Sequence, residues 1–178
     1  MGRMVALLRA VNVGGRKLSM AELRKLCEEL GWADVSTYIQ SGNVVFSADG
    51  EPDALEAALE GAIRKAFGYD APTVVRTAAQ WRRYAPANAF PDAARETPNY
   101  LLMLVSKRPP ADGAVATIQA KAAAGEQVKR AGDAIWVHFP NGSGTSKLTP
   151  ALIDKAIGSP ATSRNYRTVV KLMEMLEA

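Results

Sequence analysis

The hydrophobic and polar positions in the first part of the chain alternate between strand and helix spacings. Residues 4–11 are apolar on both faces, which is typical of a central strand covered on both sides. Residues 52–67 repeat apolar side chains every three or four positions, which is typical of a helix with one buried face. The predicted elements are a strand at 4–11, a helix at 19–30, strands at 35–40 and 43–47, a helix at 52–67 and a strand at 73–77. Their β-α-β-β-α-β order is that of a ferredoxin-like fold.

The later part of the chain repeats most of this order. Residues 78–98 predict a short helix and then an irregular connection that contains prolines. The elements predicted after it are a strand at 99–105, a helix at 111–124, strands at 127–131 and 134–139, and helices at 148–157 and 163–176. We therefore predict an α+β fold with a ferredoxin-like half (1–77), a connecting segment (78–98) and a related β-α-β-β-α-α half (99–178) that ends in a basic-faced helix. An internal structural duplication is our hypothesis for this likeness.

The composition is that of an ordinary globular protein. Hydrophobic residues make up 48% of the 178 residues and charged residues 22%, so a core can form without disulfides. The single cysteine, Cys27, permits no internal disulfide and indicates a reducing compartment. No apolar run has membrane-spanning length and the N-terminus lacks a secretory pattern, so we expect a soluble cytoplasmic protein without a membrane partner. The net charge of +4 permits a polyanionic partner but does not require one.

The last predicted helix carries the clearest indication of a binding site. Arg164 and Arg167 would lie in its first turn, where the helix dipole disfavours cations. Free backbone N–H groups, nearby hydroxyls and these two guanidinium groups together predict a site for an anion. Two other interpretations stay open, namely a solvated polar face and pairing with an internal carboxylate such as Asp154 or Glu174.

Two turns that contain glycine have the composition of weaker anion sites. Segments 12–17 (NVGGRK) and 140–147 (PNGSGTSK) could present N–H groups to a phosphate, but neither has the spacing of a nucleotide-binding loop. A flexible connection is the favoured interpretation of 140–147 unless it meets the last helix. Arg9 interrupts an apolar strand and therefore requires a ligand or an internal acid. Turn formation alone explains the polar cluster at 40–43 (QSGN).

The sequence lacks the residue sets of several familiar catalytic and metal sites. His138 is the only histidine, so the chain offers no zinc cluster and no cysteine–histidine pair at usual spacings. The nucleophile motif G-x-S-x-G is also absent. We expect His138 at a half-buried sheet position and Cys27 in the core. No metal site is predicted, and the catalytic residues are left unassigned.

Five segments of the chain together resemble a known family. They are LLRAVNVGG (7–15), MAEL (20–23), YIQSGNVVF (38–46), SKLT (146–149) and ATSRNYRTVVKL (161–172). In order and spacing they are similar to the bacterial family called domain of unknown function 1697, over nearly the whole chain. Tyr166 stands where tryptophan is commoner and Ala10 where glycine is frequent, and neither change removes a group to which we assign a role. The resemblance implies a compact α+β fold, and it supplies no activity, cofactor or catalytic residue because the members are described as hypothetical proteins.

The resemblance also implies a set of signature residues, mostly polar and at turns or element ends, where functional groups tend to be displayed. The candidate ligand-binding residues from this set are Arg9, Asn12, Gly14, Gly15, Gln40, Ser41, Asn43, Ser146, Lys147, Arg164, Asn165, Arg167 and Thr168. The leading hypothesis is a protein that binds a phosphate-bearing or other anionic ligand, with both groups of residues contributing if the halves face each other. The alternatives are nucleic-acid binding through a basic surface, an enzyme acting on a small phosphorylated or acyl substrate, and a partner-binding protein. The cofactor, the oligomeric state and the question of catalysis are left open.

Overall fold

The computed structural model describes residues 1–178, which form two compact units. The first unit comprises Met1–Trp81 together with Leu172–Ala178, and the second comprises Arg82–Lys171. Each unit contains one four-stranded antiparallel sheet. None of the helices combines the length and the apolar character that crossing a membrane requires.

The first unit has a ferredoxin-like arrangement. Its elements are β1 (Gly2–Leu8), α1 (Met20–Glu29), β2 (Ala33–Tyr38), β3 (Asn43–Ala48), α2 (Pro52–Phe67), β4 (Thr73–Thr77) and α3 (Ala78–Trp81). The strand order is β2-β3-β1-β4, so the central strands β1 and β3 are the most buried. Leu23 of α1 and Leu59 of α2 belong to the core cluster, in which Trp32 stacks on Phe46 at 3.9 Å between ring centroids.

The second unit repeats this arrangement with shorter helices. Its elements are α4 (Pro91–Glu96), β5 (Leu101–Ser106), α5 (Ala114–Gln119), β6 (Gln127–Ala131), β7 (Ala134–His138), α6 (Pro150–Ile157), β8 (Ala161–Asn165) and the start of α7 (Tyr166–Glu177). The strand order is β6-β7-β5-β8, so β6 and β8 are the edge strands. One core cluster joins the sheet to α5 and α6 and includes Leu104, Ile118, Ile135 and Ile153.

The α+β class and the likeness of the two halves are confirmed, with one change in the second half. Both units follow the order β-α-β-β-α-β, and their sheets have the same relative strand order. The helix predicted at 163–176 is wrong in its first three residues, because these belong to β8. The β8 sequence ATSRN is mostly polar and gives no strand signal of its own. Pairing with β5, in which Met103 lies opposite Arg164, makes this segment a strand.

Two predicted strands end earlier than expected because the backbone leaves the extended region. β1 ends at Leu8, and the following Ala10 and Asn12 both have φ of 56°. β2 ends at Tyr38, since Ile39 has φ of 51°. Positive φ is uncommon outside glycine and costly for a β-branched residue such as isoleucine. These non-glycine outliers therefore belong to the two loops that leave β1 and β2.

Candidate functional site

Arg164 lies on β8 and not in the first turn of the last helix. Its guanidinium donates to Thr162 Oγ1 at 2.9 Å and to the Ser163 carbonyl at 2.7 Å, and the residue is 8% exposed. Burial lowers the pKa of this guanidinium to about 10, because poorly solvated surroundings disfavour the charge. The prediction that two arginines share the first turn of one helix is therefore wrong.

The start of α7 is capped by a side chain of the protein itself. Asn165, the last residue of β8, accepts the Thr168 N–H on its Oδ1 at 2.9 Å. Thr168 is buried, whereas Arg167 is exposed and its side chain makes no hydrogen bond or ion pair within the chain. No acidic side chain lies in this first turn. One exposed arginine therefore stands where the sequence predicted a pair.

The loop 140–147 is held by a carboxylate. Ser146 donates through Oγ to Glu126, which also accepts the backbone amides of residues 123 and 124 at 3.1 and 2.7 Å. These bonds, that from Ser146 foremost, lower the pKa of the Glu126 carboxyl. A carboxylate bound to Ser146 disfavours an anion there, so the serine serves the structure of the loop. Lys147 is exposed and its side chain makes no bond within the chain.

In the first unit, Asn12 fixes the loop between β1 and α1. Its Nδ2 donates to the carbonyls of Leu18 at 2.8 Å and Gln40 at 2.9 Å, and its Oδ1 accepts the Leu18 N–H at 2.9 Å. The first and third of these bonds close the loop on itself, and the second ties it to the β2–β3 hairpin. Asn12 and Gln40, both candidate ligand-binding residues, are thus brought together at one end of the strands, where β1 and β2 finish.

Residues 13–17 form the exposed tip of this loop and are called the loop tip below. Gly14 and Gly15 have φ of 58° and 83°, which glycine adopts at little cost. Except at Arg16, whose N–H donates to the Val13 carbonyl at 3.1 Å, the N–H groups of the loop tip make no hydrogen bond within the chain. Successive N–H groups in such a turn can form a concave site for an anion.

Two exposed basic side chains belong to the loop tip itself. The Arg16 guanidinium lies 5.5 Å from the centroid of the Tyr69 ring and donates weakly to the Asp70 carbonyl at 3.4 Å. Lys17 makes no ion pair within the chain. The nearby carboxylate of Asp70 is already bound by the guanidinium of Arg64. The loop tip therefore carries positive charge that no carboxylate of the first unit neutralises through an ion pair.

Arg9 lies just past the end of β1 and not within it. The residue is half-buried, and its N–H donates to the Pro72 carbonyl at 2.9 Å. The cost of a charge inside an apolar strand, on which the sequence argument depended, does not arise here. This backbone hydrogen bond links the start of the loop after β1 to the segment that precedes β4.

The turn of the β2–β3 hairpin, residues 39–42, is held by hydrogen bonds among its own residues and the adjoining strands. Asn43 is fully buried, and its amide donates to Ser41 Oγ at 3.0 Å and to a backbone carbonyl of β2 at 2.9 Å. Gly42 has φ of 77°, and a Cβ there would lie 2.8 Å from the Leu8 Cβ. Ser41 and Asn43 thus shape the turn, whereas the Gln40 side chain is exposed and makes no bond within the chain.

Sequence reasoning missed a buried arginine that matches Arg164. Arg76 is the fourth of five residues in β4, as Arg164 is in β8. It is 7% exposed, and its guanidinium donates to the carbonyl of the preceding Val75 at 2.9 Å. The signal was present, because Arg76 interrupts the otherwise β-branched run TVVRT. The last strand of each unit therefore carries a buried guanidinium at the same position.

The expectations for Cys27 and His138 are confirmed. Cys27 is fully buried on α1, and burial raises the pKa of its thiol to about 12, so the thiol stays protonated and unreactive. His138 is half-buried at the end of β7. No group of three or more histidine, cysteine, aspartate or glutamate side chains is arranged to hold a metal ion.

Comparisons with known proteins agree with the fold described above. Residues 1–136 match the model of a family described as protein of unknown function, DUF1697. No curated protein matches the sequence. The solved structure of conserved bacterial protein SP0830 from Streptococcus pneumoniae is similar to this chain, with 23% identity, a TM-score of 0.71 and coverage of 98% of each chain. At this identity the likeness concerns the fold alone, and it extends over both units.

Proposed function

The chain belongs to the DUF1697 family, whose description assigns no activity, and we propose that it binds a phosphate-bearing or other anionic ligand at the loop tip, residues 13–17. The observation that carries this proposal is the row of N–H groups in the loop tip that make no hydrogen bond within the chain. Phosphate oxygens are strong acceptors for such groups. Asn12 holds the loop through three hydrogen bonds, so little further ordering is needed on binding.

The charges around the loop tip support an anion over a neutral ligand. Arg16 and Lys17 are exposed, and the stacking of Arg16 on Tyr69 limits where its guanidinium can point. The exposed amide of Gln40 lies on the hairpin that Asn12 ties to the same loop. Arg164 and Ser146 make hydrogen bonds within the second unit, so the proposal does not depend on them. That Arg167 and Lys147 also contact an anionic ligand stays a prediction.

A titration followed by NMR tests the proposal directly. Protein labelled with ¹⁵N is titrated with inorganic phosphate and, separately, with ATP, and the amide signals of Gly14 and Gly15 are followed. We expect saturable shifts at these amides. In Arg16→Gln/Lys17→Gln the affinity should fall at least about tenfold, because each hydrogen bond to a charged group contributes about 1.5–3 kcal/mol.

Lys121→Gln is the matched control, since Lys121 is an exposed lysine of the second unit without an ion pair. It removes the same charge as Lys17→Gln and should leave the affinity for both probes unchanged. Absence of saturable shifts at Gly14 and Gly15 with either probe would contradict the proposal. Equal affinity in the wild type and in the double variant would contradict it as well.

Nucleic-acid binding and catalysis on a small phosphorylated or acyl substrate are the alternatives. Phe46 and Trp136, the aromatic residues of the central strands, are both buried, so stacking of bases on either sheet is not supported. A short oligonucleotide added to the same samples tests the first alternative. Binding that salt abolishes, and that Lys121→Gln weakens about as much per charge removed as Arg16→Gln/Lys17→Gln does, would favour a nucleic acid. We expect the protein to act in the cytoplasm, because its single cysteine gives it no internal disulfide.

A further inference from the structure

A cleft of about 540 Å³ lies in the second unit. It has no residue in common with the loop tip of the first unit. Its volume is in the range of small-molecule sites. Side chains from α4 and from the β6–β7 hairpin line it, together with Phe90 and Thr97 at the two ends of α4. Neither the family description nor the structural likeness assigns a role to this cleft.

The register of β6 and β7 explains why the sheet presents polar groups to the cleft. Gln127 lies opposite His138, and Lys129 lies opposite Trp136, so these four side chains share one face of the sheet. The alternate residue Val128 belongs to the core that α5 and α6 cover. The face that carries Lys129 and His138 is thus the face away from this core.

Three groups that can donate hydrogen bonds converge around the buried Phe90. The Lys129 ammonium lies 4.9 Å from the centroid of the Phe90 ring, and the His138 ring centroid lies 6.2 Å from the same ring. Thr97 Oγ1 and His138 Nε2 are 3.4 Å apart. Lys129 makes no ion pair within the chain. The cleft therefore presents the Lys129 ammonium and two further polar side chains beside an apolar ring.

The α4 side of the cleft carries acidic groups that are only partly neutralised. Arg95 bonds to Asp92 at 2.8 Å and to Glu96 at 3.0 Å, so one guanidinium faces two carboxylates. With Lys129 included, two positive side chains stand against the two carboxylates, so the formal charges around the cleft balance. A ligand with two negative charges would meet about twice the repulsion from the α4 carboxylates that a ligand with one negative charge meets.

We propose that this cleft binds a small monocarboxylate with an apolar body. Lys129 and His138 hold the carboxylate, and Thr97 supports the imidazole. The apolar body lies against Phe90 and the neighbouring side chains Ala93 and Pro140. The ion pairs of Arg95 keep Asp92 and Glu96 on the opposite side, which selects against phosphate.

His138 provides the test, because the single histidine gives one set of imidazole signals in an NMR spectrum. Full-length protein with ¹³C-labelled histidine is titrated with benzoate, with acetate and with inorganic phosphate. We expect saturable shifts with benzoate and an affinity at least about tenfold lower in Lys129→Gln, which loses a charge-assisted contact. Acetate should bind more weakly than benzoate, because it buries less apolar surface.

Lys155→Gln is the matched control, since Lys155 is an exposed lysine of α6 that does not line the cleft. It should bind benzoate as the wild type does. The proposal is overturned if benzoate gives no saturable shift of the His138 signals, or if Lys129→Gln binds as tightly as the wild type. Phosphate binding more tightly than benzoate would also overturn it. The loop-tip variant Arg16→Gln/Lys17→Gln should bind benzoate normally, so this test and the test of the loop tip fail independently.

Discussion

The two units share a strand order, but they display exposed polar groups on different connections. In the first unit, the chain between β1 and α1 makes an open loop of residues 9–19, which Asn12 holds against a hairpin. In the second unit, the corresponding segment between β5 and α5 contains Pro109 and Pro110, and its Ala111 N–H is bound by α6 at 3.0 Å. In the second unit, polar side chains instead line the cleft between α4 and the β6–β7 hairpin, whose strand β6 is at the edge of the sheet.

This difference separates what the topology fixes from what it leaves free. The order of strands and the position of a buried arginine in the last strand are common to both units. The connections differ in length, glycine content and exposure, and binding groups tend to be placed on connections. A shared fold therefore predicts the scaffold of both units and predicts neither the loop tip nor the cleft.

The hairpins of the two sheets should respond very differently to the same substitution. Gly42→Ala places a Cβ 2.8 Å from Leu8 at φ of 77°, so we expect a loss of about 3–5 kcal/mol of unfolding free energy. Gly132 occupies the equivalent hairpin at φ of 63°, with nothing within 4 Å of an added Cβ. Gly132→Ala should cost only about 1–2 kcal/mol. Urea denaturation measures both, and equal losses would show that steric contact at Gly42 is unimportant.

Asn12 should matter more to its loop than Asn165 does to its helix. Asn12→Gly removes three hydrogen bonds and permits the φ of 56°, so we expect a loss of about 1–2 kcal/mol, discounted for the exposure of the side chain. The same change should abolish the protection of the Leu18 amide against hydrogen exchange. Asn165→Ala, which removes one capping bond, should leave Leu18 protected. Unchanged protection of Leu18 in Asn12→Gly would show that the loop is held by other contacts.

The smallest effect concerns two carboxylates, each held by a serine. The hydroxyl of Ser146 lowers the pKa of Glu126 in the second unit, and that of Ser19 lowers the pKa of Glu22 in the first. Each carboxylate therefore stabilises the fold above its unfolded pKa near 4.5, and this contribution is lost as the pH falls through the lowered folded value.

Glu126→Gln should accordingly lower the melting temperature near neutral pH and approach the wild type in acid. Glu22→Gln should show a smaller difference with the same sign, because Glu22 is exposed whereas Glu126 is buried. Melting curves from about pH 3 to pH 7 check both variants. A difference for Glu126→Gln that persists unchanged in acid would mean that the carboxylate charge is not what stabilises the loop.

Most elements with an apolar pattern could be predicted from the sequence, but several of their ends differ from the prediction, since β1 and β2 end early and α5 is shorter than predicted. The helix at 52–67 and the strands at 73–77 and 127–131 have the predicted bounds. β8 could not be predicted, because its polar residues have no pattern and only hydrogen bonds to β5 make them a strand. α4 was also missed, since six residues after Phe90 are too few for a helical period to be recognised.

The sequence by itself determined the α+β class, the repeated order of all elements up to β8 except α4, and the position of Cys27 in the core, because these follow from spacing and hydrophobicity. It also drew attention to Asn12 through the composition of its turn, and the family resemblance added Gln40 as a candidate. Only the tertiary structure decided which polar residues meet. Antiparallel pairing brings the end of β1 beside the hairpin after β2, and the register of β6 with β7 puts Lys129 and His138 on one face. The first juxtaposition joins residues that are 28 apart, so no local spacing encodes it, whereas the second follows from the register of a single hairpin.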